Sequence, residues 1–393
     1  MPVNPEFLRS ASVRRAAELV LAGGEATLRS QVELSEIPAP AFEERTRALR
    51  MQELLTQSGL LEPPIDAVGN VIAVRPGSEA APPLVVSAHL DTVFPSGTDV
   101  AVHRDGELLR GPGISDDARG LAVLLAVARA MNGAGVVTRA PVVFVATVGE
   151  EGIGDLRGVK HLFAEGGACR HAAGFLSLDG AGLDQIVTEG LGSRRYRVDV
   201  TGPGGHSWAD WGTPNPIHAL VETGRALNQI ELSRDPLTTL TLGRIGGGTS
   251  INAIAQHAWL EIDTRSAAGA RLDEVERAIR GQIDATRRTW EGLGVQITVI
   301  GDRPSGTTPP ETSLARAAFA ATRAVGGCPR PVVSSTDANV PMALGIPALT
   351  LGGGGEAGLA HTTEEWYRDT GGTKGVLRAL YTVLLTAGVN DTP

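Results

Sequence analysis

The chain has 393 residues, of which 42 % are hydrophobic and 20 % charged, so it is long and apolar enough for a folded protein of more than one domain and is not a disordered one. A net charge of −9, aromatic residues at only 4 % and no long run of Lys or Arg argue against a nucleic-acid binder, which needs cations for phosphates and rings for bases. No apolar run is long enough to cross a bilayer, the N-terminus lacks the features of a signal peptide, and Cys169 and Cys328 form no C-x-x-C, so a reduced, cytoplasmic protein is expected.

In chain order, "SVRRAAELVLAG" and "AFEERTRALRMQELLTQSG" read as helices, each stopping at a glycine. Strand-like "NVIAVR" and "PLVVSAHLD" come next, then the helix "GLAVLLAVARAMNGAG", then "APVVFVATVGEEG" and "AAGFLSLDG". Apolar strands alternating with helices predict an α/β domain with a mostly parallel sheet. Near residue 192 the pattern changes. Strand "RRYRVDVTG", helix "PNPIHALVETGRALNQI", strands "TTLTLGRIG" and "HAWLEIDTRS", helix "RLDEVERAIRGQIDATRRTWEG" and strand "VQITVIG" give the order βαββαβ of a ferredoxin-like unit. The α/β pattern resumes with "ETSLARAAFAATRAVGG", "IPALTLGGGG" and "TKGVLRALYTVLLTAG". The expected domains are therefore 1–191 and 303–393, forming one α/β domain, interrupted by an inserted domain at 192–302. The glycine runs at 246 and 352 belong to no phosphate-binding motif and read as loop geometry.

The chemistry lies where strands end. "SAHLDTVFP" places His89 and Asp91 two apart as a buried strand leaves the core, where alternate side chains point the same way. "GPGISDDARG" puts Asp116 and Asp117 before a helix, "VGEEG" puts Glu150 and Glu151 after a strand, "SLDG" puts Asp179 at a strand end, and "AHTTEE" puts His361 in the loop after the last apolar strand. Each alone has a bland reading: a helix N-cap, a solvated turn, a turn aspartate, a loop histidine. Together, at the carboxyl edge of an α/β sheet, they point to cations held among crowded carboxylates. Two histidines with three carboxylates suit zinc, cobalt or manganese, and a carboxylate can bridge two such ions. A serine hydrolase is disfavoured because no G-x-S-x-G elbow occurs, and H-E-x-x-H is absent too.

As a set, "SAHLDTV", "GPGISDDARG", "VGEEG", "SLDG" and "AHTTEE" resemble the co-catalytic zinc exopeptidase and deacylase family. That family includes peptidase T, bacterial glutamate carboxypeptidase, acetylornithine deacetylase, succinyl-diaminopimelate desuccinylase and aminoacylase, and the resemblance runs over nearly the whole chain. It implies that His89 and Asp179 hold one metal, that Glu151 and His361 hold the other, and that Asp116 bridges the two. It further implies a cis peptide between Asp116 and Asp117, Asp91 orienting His89, and Glu150 as general base. By the same resemblance the inserted domain is a lid and dimerisation domain. His206, in "TGPGGHSW", would polarise the substrate carbonyl, often from the partner subunit of a homodimer. Asn252 and Arg265 would bind the substrate's carboxylate or carbonyl, and Arg303, in "GDRPSG", is a further candidate.

The implied activity is cleavage of an amide bond next to a charged end of a small substrate, using two divalent ions, zinc first among them. "SLDGAGLDQIVTEGLGS" is similar to the peptidase T branch and points to a di- or tripeptidase of the aminopeptidase kind. The alternative is an N-acyl-amino-acid deacylase or a glutamate-type carboxypeptidase with the same site. The sequence departs from the family pattern in Ala118-Arg119, where a Lys is usual, in Gly149, and in Trp208 and Trp211, which would either line a pocket or pack the lid.

Overall fold

The runs "LVVSAH" and "VVFVAT" show no polar alternation because both of their faces are covered in the computed structural model, which describes Phe7 and residues 9–390. In chain order the elements that matter are α1 (Ala11–Ala22), α2 (Gly24–Ser35), α3 (Arg45–Gln57), β1 (Val71–Arg75), β2 (Leu84–His89), α4 (Ala118–Gly133), β3 (Val142–Thr147), α5 (Arg157–Phe163), β4 (Gly174–Leu178) and β5 (Gln185–Gly190). There follow β6 (Gly192–Thr201), β7 (Gly205–His206), α6 (Pro216–Leu227), β8 (Thr238–Gly247), β9 (Ala253–Ile254), β10 (His257–Ser266), α7 (Gly269–Thr289) and β11 (Gly294–Arg303). The last are α8 (Ser313–Ala324), β12 (Arg330–Ser334), β13 (Ala348–Leu351) and α9 (Gly372–Ala387). Two units result: Met1–Gly190 with Thr307–Pro393, and Leu191–Gly306.

In the first unit the central sheet runs β1-β3-β2-β4-β13-β5, with β12 beside β5. Strands β3, β2, β4 and β13 are parallel neighbours, while β1 and β5 run antiparallel to β3 and β13. The period of two sorts their side chains. Val85, Val143, Val145 and Phe175 meet Val159 and Leu162 of α5 on one face, and Leu84, Val86, Phe144 and Leu176 meet Leu121, Leu124 and Leu380 on the other. Helix α4 is buried on nearly every side because it lies between the sheet and the outer helices α1, α2 and α9.

Register fixes where the strands stop. His89 pairs with Thr147, and Leu178 with Leu351, so β2, β3, β4 and β13 release their chains along one edge. The second unit is an antiparallel sheet, β8-β10-β6-β11, in which Tyr196, Val198, Leu260 and Ile262 pack against Leu220 of α6 and Ile279 and Ile283 of α7. No helix among the described residues is long and apolar enough to cross a membrane.

Helix α2 was not expected. Gly23, read as a stop, both ends α1 and caps the start of α2. Strands β5 and β12 were also unread, as was a small antiparallel sheet of His103–Asp105, Leu108–Arg110, Glu356–Gly358 and Trp366–Arg368. The glycine run at 352 is loop geometry: Gly354 has φ +79°, and a Cβ there would lie 2.8 Å from the Gly375 backbone in α9.

Gly120, in the first turn of α4, lies against the end of β4, where a Cβ would come within 2.2 Å of the Leu178 carbonyl oxygen. Gly120→Ala is expected to lower the unfolding free energy by about 1–3 kcal/mol or more, read by denaturant titration. A change below about 0.5 kcal/mol would contradict this packing.

Candidate metal centre

The shared strand edge gathers the acids and imidazoles. His89 ends β2, Asp116 precedes α4, Glu150 and Glu151 follow β3, and Asp179 follows β4. His361 comes from the loop between Glu356–Gly358 and Trp366–Arg368, with a φ of 66° that histidine tolerates better than most residues. Three overlapping groups have ligand atoms mutually within 4.8 Å: His89, Asp116 and Asp179; Asp116, Glu151 and His361; and His89, Glu150 and Glu151. Asp116 belongs to both of the first two.

Local hydrogen bonds fix each side chain. The Nδ1 of His89 lies 3.0 Å from the Asp91 carbonyl oxygen, so Nδ1–H donates there and Nε2 faces Asp116 Oδ1 at 3.0 Å. The Asp91 carboxylate takes other partners than expected. Its Oδ1 is 3.8 Å from His89 Nδ1, too far for a hydrogen bond, and its two oxygens accept the N–H of Glu150 at 2.9 Å and of Glu151 at 2.7 Å. The alternation of side chains ends with β2 at His89, so Asp91 is not held beside the imidazole. Asp91 therefore orients His89 through its backbone and the two glutamates through its side chain.

Several supports escaped the sequence reading. Glu365, buried, accepts N–H groups of Gly113, Ser115 and Asp116 at 2.8–3.1 Å and so shapes the loop that presents Asp116. The only signal for it was its position four residues after His361. Asp117 caps α4 and also accepts from His89 and Gly180. Arg47, fully buried, donates to the carbonyls of Ser35, Ile37 and Leu90; burial brings its pKa down to about 10, opposed by the charges of Asp91 and Asp117. The Asp116–Asp117 peptide is cis. Arg119, where a Lys is usual, turns inward to the carbonyls of Gly353 and Gly372 and takes no place in the cluster.

Electrostatics identify what the cluster is built for. Burial, then Asp116, push the Asp179 carboxyl up to about 7. Hydrogen bonds to Asp116 and Glu151 push His361 up to about 10. Burial would raise Asp116, but its hydrogen bonds with His361 and His89 hold it well below the usual carboxylate range. His361 Nε2 is 2.9 Å from both Asp116 Oδ2 and Glu151 Oε1, and one ring N–H cannot serve two carboxylates well. Lone pairs converging on common points, with two nitrogens among oxygens, are the donor set of divalent cations of the zinc, cobalt or manganese kind. The residues fit such ions.

Beside the cluster is a cavity of about 560 Å³, lined by Asp116, Asp179, Asp184, Arg330, Glu356 and Ala360 among others. That size suits a small molecule.

The remaining candidates belong to the second unit. His206 lies on β7, paired with Ala253 on β9, and its Nδ1 accepts from the N–H of Trp208 at 3.1 Å, which leaves Nε2–H as a donor. Asn252 is next to this ribbon, with Ser207 N–H donating to its carbonyl oxygen. Arg265 is elsewhere: it sits near the far end of β10, about 27 Å from the strand's start at ~3.4 Å per residue, and its Nε donates to Asp263 at 2.8 Å. One motif in sequence thus becomes two places in the fold. Arg303 closes β11 and is buried, not solvated. Trp208 and Trp211 are 86 % and 84 % exposed, so they do not pack the unit's interior.

A family model for peptidase family M20/M25/M40 matches residues 85–385. A protein of Mycobacterium tuberculosis assigned as a succinyl-diaminopimelate desuccinylase is 29 % identical over 319 residues, covering 76 % of this chain and 81 % of the relative. The structure of the aminopeptidase PepT from Bacillus cereus superposes with a TM-score of 0.74 at 21 % identity, over 93 % of this chain and 99 % of that one. That of a dinuclear metal binding peptidase from Bacillus subtilis gives 0.68 at 18 %, over 93 % and 99 %. At these identities the two structures establish the fold.

Asp91→Ala removes the acceptor for both glutamate N–H groups. It is expected to weaken divalent-metal affinity about 10–100-fold, read by competition with a chromophoric chelator. An affinity within threefold of the parent would show that Asp91 does not position these residues.

Proposed function

The chain belongs to peptidase family M20/M25/M40 and is a hydrolase, and from that premise we propose that it cleaves the amide bond of a small peptide, as a di- or tripeptidase, with two divalent ions. The observation that carries this reading is the pair of donor groups sharing Asp116. We assign His89 and Asp179 to one ion, Glu151 and His361 to the other, and Asp116 to both. Zinc is the first choice for this donor set, with cobalt or manganese also suited. When bound, such ions acidify water and polarise a carbonyl.

The chain's own residues do the rest. Glu150, buried next to Glu151, takes the proton of the attacking water as its oxygen joins the scissile carbon, and delivers a proton to the leaving nitrogen as the C–N bond breaks. Asp91 keeps both glutamates in place through their N–H groups. His206, whose Nε2–H is left as a donor, stabilises the carbonyl oxygen as it gains charge. Asn252 and Arg265 bind substrate oxygens, and Arg303 supports the same end.

The separation of Arg265 from His206 and Asn252 bears on assembly. One small amide cannot touch both ends of β10. This supports a homodimer formed through the inserted unit, the lid, in which His206 and Asn252 serve the partner subunit's site. A second reading, hydrolysis of an N-acyl amino acid, is favoured by the 29 % identity to the desuccinylase. A soluble cytoplasmic enzyme accords with either.

The test is amine release from free di- and tripeptides and from N-acyl amino acids, with metal-loaded and chelated protein. Glu150→Gln should lower kcat about 10²–10⁴-fold with metal content kept. A loss below tenfold would remove Glu150 from the proton transfer. Co-expressing Glu150→Gln with His206→Ala chains should recover about a quarter of parental activity, since mixed dimers have one intact site if His206 acts across the dimer. No recovery would place His206 in its own chain's site, and a His206→Ala chain that keeps parental activity by itself would place it outside the reaction.

A further inference from the structure

The cavity beside the metal centre has a second charged wall that the reaction above does not use. Strand β5 is antiparallel to β13, with Ile186 opposite Leu351, and β12 is parallel to β5, with Arg330 opposite Gln185. The starts of β5 and β12 therefore lie at the edge where β13 and β4 end. Arg330 reaches that edge by strand reversal, with no motif to announce it.

The wall is held firmly. Arg378 of α9, buried, donates to the carbonyls of Leu183, Gly352, Gly182 and Gln185, tying the loop after Asp179 to the glycine run. Asp184 is tied twice to the chain before β12: its Oδ1 accepts from Cys328 N–H at 2.8 Å and its carbonyl from Arg330 N–H at 2.8 Å. A site fixed in advance loses little entropy on binding.

The charges on this wall are unequally matched. Glu356 pairs with Arg368 at 3.4 Å, and Asp184 has its backbone donor. Arg330 lines the cavity and is exposed, and its guanidinium has no hydrogen bond or ion pair among the described residues. Arg265, another candidate for an anion, belongs to the second unit and already pairs with Asp263.

We propose that Arg330 anchors a substrate carboxylate opposite Asp116 and Asp179, an assignment that rests on the amide-hydrolase reading. A guanidinium fork matches a carboxylate in geometry and charge. Two substrate types carry one at the same reach. In a dipeptide the C-terminal carboxylate carbon is three bonds from the scissile carbonyl carbon, and in an N-succinyl amine the distal carboxylate carbon is three bonds away on the acyl side. Both fit a cavity of about 560 Å³.

The experiment measures kcat and KM of the metal-loaded parent, Arg330→Met and Arg330→Lys on two pairs of substrates. One pair is a dipeptide and its C-terminal amide; the other is an N-succinyl amino acid and its N-succinamyl counterpart. The parent should prefer the charged member of one pair. Arg330→Met should raise KM for that member about 10–100-fold with kcat within threefold, and Arg330→Lys should retain part of the preference. Loss confined to the dipeptide pair identifies the C-terminal carboxylate as the anchored group, and loss confined to the succinyl pair identifies the acyl carboxylate. A charged-to-neutral ratio within twofold of the parent in both pairs overturns the role of Arg330 and leaves the hydrolase standing. A parent that cleaves none of the four overturns the dipeptide and N-succinyl readings, and the subsite with them, while its place in the hydrolase family stands.

Discussion

The carboxylate of Asp117 accepts hydrogen bonds from three separate segments: the His89 N–H at the end of β2, the Gly120 N–H in the first turn of α4, and the Gly180 N–H after β4. These segments deliver His89, Asp116 and Asp179. Asp117 is wholly buried, and burial pushes its carboxyl well above the ordinary range, so its acceptor role is maintained by those three donors against desolvation. Remove it and three donors of the cluster lose their common reference. The capping of one helix and the assembly of the centre are the same interaction.

Around that point the other acids divide into those that converge and those that hold. Asp116, Asp179, Glu151 and the two imidazoles converge. Asp91, Asp117 and Glu365 hold, each through backbone N–H groups. Behind them Arg47 supplies a fixed positive charge next to Asp91 and Asp117. So many carboxylates in a buried space repel one another, which is why burial and Asp116 together raise Asp179 so far. Cations relieve that repulsion in a way that protons on the histidines do only in part, because one N–H lies between two oxygens.

Much of this was legible because the converging residues sit in contiguous motifs at strand ends, where apolar runs stop abruptly at Asp, Glu or His. The parallel sheet and the βαββαβ unit were legible too, since buried strands and amphipathic helices differ in period. What was hidden has a common cause. Arg47 and Arg330 are single residues carried to the site by topology, with no local pattern, and Glu365 was marked only by its place four residues after His361. The Asp91 side chain reaches the two glutamate N–H groups because the period of two stops at His89, two residues before it. Asn252 and Arg265 looked like one motif, yet a regular strand carries its ends far apart. Helix α2 was missed because Gly23 serves as stop and start at once.

In the proposed chemistry one shared carboxylate, that of Asp116, holds two ions. The most direct measurement is calorimetric titration of metal-free protein with zinc, alongside Asp116→Ala. Two equivalents per chain in the parent, with both sites weakened together by the single substitution, are predicted. One equivalent or none in the parent, or full retention of both in Asp116→Ala, would contradict it.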